Sequence, residues 1–555
     1  MRRRELLTGG AAAAARPSAA TAAPDELHAA FDAAARRLAP AGEAGPWRIS
    51  DEPEESAAAR FAAPGAALAA LRAARPRRLN AAAELQWRTV EGGLARDAAL
   101  AGGFPFGAAP GRPYVVFGRD GLHRRAEGGL GRAPRPDEAD AYLEALGRLA
   151  RGLDGETARL TAEARTWNAV PPRSPLGEVA ARVARLAATP ADASALVRPA
   201  PAAWRERAAA RVETEVRPAL ARQAEALAGL RQTAPETAGA WSLRDGERYH
   251  AACLAAGLGL DLSAAETERR ANSAVRRLTA ELDAELRREG LTRGSVAERL
   301  RALGADPSGL APDTEAGREA VVARMNATLA AVRARLGEVT SFAAGEAAVR
   351  RMSPADEAAA RAGYREATSR GGDYVVDLHA VRERPLWTLA AVTLHETLPG
   401  HLLQLPLQLR RAPHPLVVRY ATGAFEGWAV YAETLGEELG LYDRRERIGR
   451  LQSTLFRLSR AVADAGVHRR RWSPARARAE LAGMYGFPLF NSFEAEVERL
   501  YASPGVGGAD AFGALGLLAL RRAAGGSARD FHDRVLATAP VPTRLLGAAV
   551  RLGVG

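Results

Sequence analysis

The sequence predicts a mainly α-helical protein of two subdomains around a cleft, on the basis of three observations. Runs of Ala, Leu, Arg and Glu, which are strong helix formers, fill most of the 555 residues. Helix starts recur along the chain, whereas segments with strand character are sparse. The length exceeds the roughly 250–300 residues at which a single hydrophobic core stops growing, so two subdomains are expected.

The predicted helix starts carry two kinds of cap. Ser263 to Glu266 and Ser295 to Glu298 fit the capping box, in which a Ser hydroxyl and a Glu carboxylate satisfy free backbone donors reciprocally. Thr189-Pro190, Ser353-Pro354 and Ser473-Pro474 place a hydroxyl before a proline at the first helical position, where the missing N–H is harmless. Each of these sites is expected to begin a helix.

Two segments have the β-branched and aromatic content of short strands. They are residues 113–117 (Pro-Tyr-Val-Val-Phe) and residues 374–378 (Tyr-Val-Val-Asp-Leu). The second precedes residues 379–468, a histidine-rich region that holds five of the nine histidines. We therefore expect a small β element near this region.

The charge pattern argues against nucleic acid as a partner. The formal net charge is +12, and all 77 basic residues are Arg. These Arg residues are interleaved with Asp and Glu along segments such as 266–288, which is typical of a solvated helix face. The lone Cys253 lies in an apolar run and is expected to be a buried small hydrophobe. Any metal must therefore be held by His and carboxylate side chains.

The first 22 residues resemble a twin-arginine export signal. Arg3-Arg4 is followed by Leu6-Leu7 and a weakly apolar stretch, and Ala20-Thr21-Ala22 would permit cleavage before Ala23. No other segment offers the roughly 18 uninterrupted apolar residues of a membrane span. We expect a mature protein of residues 23–555 in the periplasm or outside the cell.

Residues 395–401 carry an imperfect metal-binding pattern. An apolar helical run, residues 386–394, leads into His395-Glu396, but the position four residues after His395 is Pro399. His401 lies six residues after His395, which is about 240° around an ideal helix. Pro399 lacks an N–H and Gly400 tolerates conformations outside the helical well. A helix broken at Pro399-Gly400 would let His401 reach the point that His395 faces.

Two blocks identify a resemblance to a known family. Residues 395–404 (His-Glu-Thr-Leu-Pro-Gly-His-Leu-Leu-Gln) and residues 426–433 (Glu-Gly-Trp-Ala-Val-Tyr-Ala-Glu) resemble the bacterial family called domain of unknown function 885. Its members look like zinc peptidases related to the angiotensin-converting-enzyme and carboxypeptidase Taq type. Leu402 replaces a second adjacent histidine of the family pattern.

The resemblance implies a zinc metallopeptidase whose catalytic part is about residues 374–513. Zn²⁺ would be held by His395, His401 and Glu426, with Glu396 as general base for a metal-activated water. Glu433 would be a fallback ligand or the partner of an imidazole N–H. The implied substrate is a peptide or small amide, cut in carboxypeptidase or dipeptidyl-carboxypeptidase fashion.

Further roles follow from the resemblance. Asp464 would orient His468, which would donate a hydrogen bond to the developing oxyanion. Tyr431, inside the second block, is another candidate catalytic residue. Tyr374 begins a segment that could pair with an extended peptide by strand addition.

The family's Tyr-Lys pair is replaced here by Asp510-Ala511. Arg499 and Tyr501 are candidates to bind substrate in place of that pair. Two other functions remain open from the sequence. One is a non-catalytic peptide-binding descendant of the family, and the other is a metal-dependent hydrolase of a non-peptide amide or ester.

Overall fold

The structure is a computed structural model that describes residues 23–39, 43–44, 47–50, 53–358 and 362–552. The predicted export signal, residues 1–22, lies outside the described residues.

Helices account for most of the described chain, which confirms the predicted mainly α class. The helices of the amino-terminal part are α1 (Ala23–Leu38), α2 (Pro53–Ala73), α3 (Ala81–Gly103), α4 (His123–Gly128), α5 (Ala139–Thr166), α6 (Arg173–Ala188), α7 (Arg205–Arg211), α8 (Arg217–Thr233), α9 (Gly246–Leu258), α10 (Ala264–Arg288), α11 (Val296–Gly304) and α12 (Glu315–Val339). Those that follow are α13 (Pro354–Ala358), α14 (Leu389–Glu396), α15 (His401–Arg411), α16 (Pro415–Tyr420), α17 (Ala424–Glu438), α18 (Arg444–His468), α19 (Pro474–Tyr485), α20 (Phe493–Ala502), α21 (Ala509–Ala524), α22 (Ala528–Ala537) and α23 (Leu546–Leu552).

The strands form two small sheets. The strands are β1 (Glu43–Ala44), β2 (Ile49–Ser50), β3 (Glu346–Arg351), β4 (Tyr364–Thr368) and β5 (Gly371–Val376). The first two pair antiparallel with each other. In the second sheet the order is β3-β5-β4, with β5 parallel to β3 and antiparallel to β4. This second sheet lies against α15, so the expected β element near the histidine-rich region is present.

The prediction of a strand at residues 113–117 is wrong. Within the described chain this segment makes only an isolated bridge, between Phe117 and Asp120. Its apolar residues are instead buried side by side, with the rings of Tyr114 and Phe117 5.1 Å apart. Burial in the helical core explains the composition that we interpreted as a strand.

Most of the predicted caps are confirmed. Ser263, Ser295 and Ser473 each accept a hydrogen bond from the third residue of the helix that follows. Of the two predicted capping boxes only Ser295–Glu298 is complete, because the Glu266 carboxylate accepts from Arg269 and Arg270 instead. Ser353 likewise accepts from the N–H of the third residue of α13. Thr189-Pro190 is the exception, because only a short 3₁₀ turn, Ala191–Ala193, follows it.

Helix α18 runs through the middle of the protein. Every residue from Ile448 to His468 is buried, and the helix contacts α10, α14, α17, α19, α20 and α21. It belongs to the largest hydrophobic cluster, whereas α14, α15 and α17 contribute to a second one. Because α14 and α17 contact α18, His395 and Glu426 lie near the boundary between these two clusters. The two-subdomain arrangement itself stays a prediction.

The structure also bears on the lone cysteine and on membrane-spanning helices. Cys253 is buried within the largest cluster, as predicted. Among the described residues, no helix combines the length and apolar character needed to cross a bilayer.

A buried ion pair joins α18 to α20. The Nε and NH2 groups of Arg460 each donate to one carboxylate oxygen of Glu496 at 2.7 Å, and the two side chains are 11% and 2% exposed. Asn491 donates a further bond to the same carboxylate at 2.7 Å.

Replacement of Glu496 by Gln is expected to lower the free energy of unfolding by about 3–5 kcal/mol, because it leaves the Arg460 guanidinium buried without its counter-charge. The measurement is chemical or thermal unfolding of the purified variant. Glu494→Gln is the matched control in the same helix, since the Arg478–Glu494 pair is 52% and 54% exposed. That control should change stability by less than about 1 kcal/mol. Equal losses in the two variants would contradict the prediction.

Candidate metal centre

The helix that carries His395 is interrupted as the sequence predicts. Helix α14 ends at Glu396 and α15 begins at His401, with a cis peptide between Leu398 and Pro399. A backbone hydrogen bond spans the interruption, since the N–H of Gly400 donates to the carbonyl of Leu394 at 3.0 Å. A side chain at Gly400 would not fit, since a Cβ there would lie 2.1 Å from the carbonyl oxygen of His395. The predicted break is confirmed.

Helix α17 is held against this interruption. The indole N–H of Trp428 donates to the carbonyl of Pro399 at 2.9 Å, and Trp428 is completely buried. On another side of α17, Gly427 packs directly on Gly513 of α21. These contacts set the position of Glu426, in the first turn of α17, relative to the two histidines.

The structure brings His395, His401 and Glu426 together. One ligand atom from each lies within 4.8 Å of the others. The Nε2 atom of His395 is 3.3 Å from one oxygen of Glu426, and the Nε2 atom of His401 is 3.4 Å from the other. Both imidazoles therefore point their Nε2 atoms at one carboxylate.

These spacings fit a metal ion. Ligand atoms bound to tetrahedral zinc at about 2.0–2.1 Å are about 3.3 Å from one another. His401 is completely buried, and within the described chain neither of its ring nitrogens makes a hydrogen bond. Buried polar atoms of this kind normally have a partner, and a metal ion would be one for Nε2. The residues present thus suit a zinc ion held by two imidazoles and one carboxylate.

A second carboxylate orients His395 through the ring nitrogen that faces away from Glu426. The Nδ1 atom of His395 is 2.9 Å from Oε1 of Glu433, which is completely buried. The guanidinium of Arg457 lies 3.3 Å from the same ring nitrogen and 3.5 Å from the Glu433 carboxylate, so it balances the buried charge. With its Nδ1–H donated to Glu433, His395 turns its Nε2 atom toward the cluster. Of the two roles predicted for Glu433, the structure shows the imidazole partner.

The charged groups of the cluster shift one another's protonation. Burial and the nearby Arg365 lower the pKa of His401 to about 4, which leaves a neutral imidazole. Burial and Arg457 oppose protonation of His395, but the surrounding carboxylates outweigh them and raise its pKa to about 9. Burial would raise the pKa of Glu426, yet the two histidines hold it well below its usual value. A cation bound here would take the place of the proton on His395.

Glu396 lies at the edge of the cluster. One of its oxygens is 4.0 Å from Nε2 of His395, and the side chain is 15% exposed. Burial would raise its pKa, but Arg365 and the two histidines lower it, so the group is a carboxylate at neutral pH. The Glu426 side chain is 32% exposed. The cluster is therefore open to solvent on the side of these two carboxylates.

Arg365 is the site residue that sequence reasoning missed. It lies on β4, and its buried guanidinium donates a hydrogen bond to Glu396 and approaches Glu426 to 3.7 Å. No motif surrounds it, and it is about thirty residues before the histidines, so the sequence carried no signal for this contact. Arg457 was also missed, although its position next to Leu455, Phe456 and Leu458 in the sequence indicates a buried side chain.

The role predicted for His468 is wrong. Its Nδ1 accepts a hydrogen bond from the N–H of Ala240, its Nε2 lies 3.1 Å from the carbonyl of Leu500, and the side chain is buried. Burial lowers its pKa to about 4, so the ring is neutral. Asp464 does not orient it, because that carboxylate binds His250 at 2.7 Å. Both nitrogens are thus engaged in joining helices and cannot serve an oxyanion.

Tyr431 and Tyr501 also point into the core and not toward the cluster, contrary to prediction. The hydroxyl of Tyr431 lies 2.6 Å from Nε2 of His532 and accepts from Arg521 at 2.9 Å. The hydroxyl of Tyr501 donates to the carbonyl of Trp472 at 3.3 Å. Both side chains are completely buried, and these bonds satisfy their polar ends.

Tyr374 lies near the cluster but cannot act as predicted. It is opposite Arg365 in the β4–β5 register, and burial together with the charge of Glu396 raises its pKa. Strand β5 is the central strand, however, so both of its edges are already paired and cannot receive a peptide. An added strand could pair only with an outer strand of this sheet.

Three further positions singled out in the sequence lie on α20, α15 and α21. Arg499 is exposed and interacts electrostatically with Arg460, Glu496 and Asp510, so its substrate-binding role stays a prediction. Leu402 and Ala511, which replace polar residues of the family pattern, are both completely buried. Hydrophobic packing therefore occupies those two positions here.

A narrow pocket lies beside α14, the helix that carries His395. Its lining combines apolar residues, such as Val376, Val392 and the 42% exposed Phe490, with the charged Glu383 and Arg384. Val392 is one turn before His395 on α14, but the described lining includes no residue of the cluster itself.

Comparison with known proteins establishes the family. The chain belongs to DUF885, a family of bacterial proteins of unknown function, whose model matches residues 16–550. No curated protein matches the sequence significantly.

Two solved structures share the fold. One is a candidate lipoprotein from Colwellia psychrerythraea, with a TM-score of 0.77 and 23% identity over 95% of this chain and 98% of that one. The other is a candidate lipoprotein of unknown function from Shewanella oneidensis, with a TM-score of 0.69 and 15% identity over 96% of this chain and 99% of that one. At these identities the similarity is evidence for the fold alone.

Replacement of Gly400 by Ala should lower stability by about 2 kcal/mol or more, because its Cβ would overlap the backbone that closes the interruption. The measurement is the thermal unfolding midpoint of the metal-free protein. Gly483→Ala is the control, since a Cβ at that helical position would have no described atom within 4 Å. Alanine there should be neutral or stabilise by about 0.5–1 kcal/mol. A Gly400→Ala protein as stable as the wild type would show that the interruption tolerates a side chain.

Proposed function

We propose that this DUF885 protein is a zinc-dependent hydrolase that cleaves peptide bonds. The observation that carries the proposal is the convergence of two buried imidazole Nε2 atoms on Glu426, beside the carboxylate of Glu396. Two histidines and one carboxylate leave a fourth tetrahedral position free, which is the arrangement of catalytic zinc sites and not of structural ones.

Zinc bound at this position would supply Lewis acidity for the hydrolysis of an amide bond. The protein's own contribution begins with His395, whose orientation is set by Glu433 and Arg457 behind it. Glu426 completes the ligand set from the solvent side. The three ligands come from α14, α15 and α17, which are packed together around the helix interruption.

Glu396 is the general base in this proposal. Its carboxylate lies on the open side of the cluster, where it can take a proton from an attacking water and pass it to the leaving amine. The pairing with Arg365 keeps Glu396 ionised and holds it beside the ligands.

The substrate class is a peptide. This class rests on the resemblance of residues 395–404 and 426–433 to the two family blocks.

Chelation is expected to abolish cleavage of a peptide library by the purified chain, and added zinc should restore it. Glu396→Gln should keep stoichiometric zinc and lose about 10²–10⁴-fold in kcat, because only the proton transfer is removed. Glu433→Gln should instead weaken zinc binding by about 10–100-fold, since it loosens the orientation of His395. Product masses identify the cut position and the side-chain preference.

Two outcomes would contradict the proposal. A His395→Ala protein that kept both zinc and activity would exclude this metal site. Zinc bound without cleavage of any peptide would favour the peptide-binding alternative, or hydrolysis of a non-peptide amide or ester.

Export from the cytoplasm is part of the proposal. It is supported by the twin-arginine pattern of the first residues and by the description of both structural neighbours as candidate lipoproteins. Expression in a bacterium should yield a periplasmic or secreted protein whose mass corresponds to a start at Ala23. Retention of residues 1–22 in a cytoplasmic protein would contradict export.

A further inference from the structure

Arg365 lies in an unusual position for a basic residue, on the ligand side of the candidate metal centre. Its side chain is only 5% exposed, yet it reaches from β4 to Glu396 on α14 and to Glu426 on α17. Its Nε atom has no hydrogen-bond partner within the described chain. The guanidinium is therefore held there by the two carboxylates and not by a complete set of hydrogen bonds.

The charged side chains around the cluster form two groups. Behind His395, the carboxylate of Glu433 is balanced by Arg457. In front, Glu396 and Glu426 face Arg365. A divalent ion bound to Glu426 would lie on the same side as Arg365, so two positive charges would share the same carboxylates. Unit charges a few ångströms apart in a partly buried site interact strongly.

We infer that Arg365 is a built-in competitor of the metal ion. In the metal-free protein it pairs with Glu396 and, together with the protonated His395, offsets the charge of Glu426, which keeps these two carboxylates close in spite of their mutual repulsion. When a divalent cation binds, Arg365 gives up Glu426 and keeps its bond to Glu396. This inference rests on the metal-binding part of the proposed function and does not depend on what the protein hydrolyses.

The competition has a direct consequence for affinity. Because Arg365 stabilises the metal-free form and repels the cation in the loaded form, both effects weaken metal binding. Removal of its charge should therefore tighten the site, whereas removal of an ordinary positioning residue would loosen it. The sign of the change separates the two roles.

The test is the dissociation constant for Zn²⁺, measured with the full chain in competition with a chromogenic chelator. Arg365→Gln retains hydrogen-bonding ability without the charge, and it should bind zinc about tenfold or more tightly than the wild type. Arg365→Lys keeps the charge but cannot span two carboxylates with a planar fork, so it should be tighter by a smaller factor. Arg350→Gln is the matched control, because Arg350 pairs with Glu366 and Asp373 on the exposed face of the same sheet. Its zinc affinity should be that of the wild type.

A second readout does not involve the metal. The metal-free Arg365→Gln protein should unfold at a lower temperature than the wild type, since Glu396 loses its ion pair and Glu426 loses one of its positively charged neighbours. Zinc should raise its unfolding midpoint by more than it raises that of the wild type.

The outcomes separate this inference from the proposed function. Wild-type protein that binds zinc, with Arg365→Gln and Arg365→Lys binding it equally or more weakly, would overturn the inference and leave the metal site intact. If the Arg365→Gln protein binds zinc and the wild type does not, Arg365 excludes the metal completely, and this result supports the inference. Absence of zinc binding in the wild type and in both variants would overturn the metal site and the inference with it. If Arg365→Gln does not fold, the Arg365→Lys affinity decides.

Discussion

The arrangement of this protein's candidate site depends on a single interruption of one helix. His395 and His401 would face in different directions on a continuous helix, and residues 397–400 bring them to one point. The interruption is compact because Gly400 lies against the carbonyls of Leu394 and His395, where no Cβ would fit. Trp428 donates to the carbonyl of Pro399 and so ties α17 to the same turn. The position of Glu426 follows from that bond.

Charge burial is the second constraint. The central helix α18 carries Arg457, Arg460, Asp464 and His468 along its length, and each is paired with a residue of another helix or with backbone. Buried charges of this kind are tolerated only when they are paired, and each pair joins elements distant in sequence. The helix therefore connects the metal centre at one point with the α20 contacts at another. This explains why residues that resemble catalytic groups in sequence serve packing in the structure.

The open side of the site has a different character. Glu396 and Glu426 retain partial exposure, and Arg365 joins them from the edge strand β4. A small sheet laid on α15 thus contributes a charged side chain to a cluster otherwise built by helices. The candidate site combines a rigid, buried side that orients His395 with a carboxylate side that can meet solvent and substrate.

The features that depend on neighbouring residues could be predicted from the amino-acid sequence alone. Helix-forming composition and local caps predicted the mainly α class, and Pro399-Gly400 predicted the break, because propensity and capping act over a few residues. The matched blocks identified His395, His401 and Glu426 as candidate ligands. Which polar residues meet across the chain depends on how the helices and strands pack against one another. This packing placed Glu433 on His395, Arg365 on Glu396 and His468 between Ala240 and Leu500, and it made β5 a central strand. Such contacts join residues far apart in sequence through packing of whole elements, so no local pattern records them.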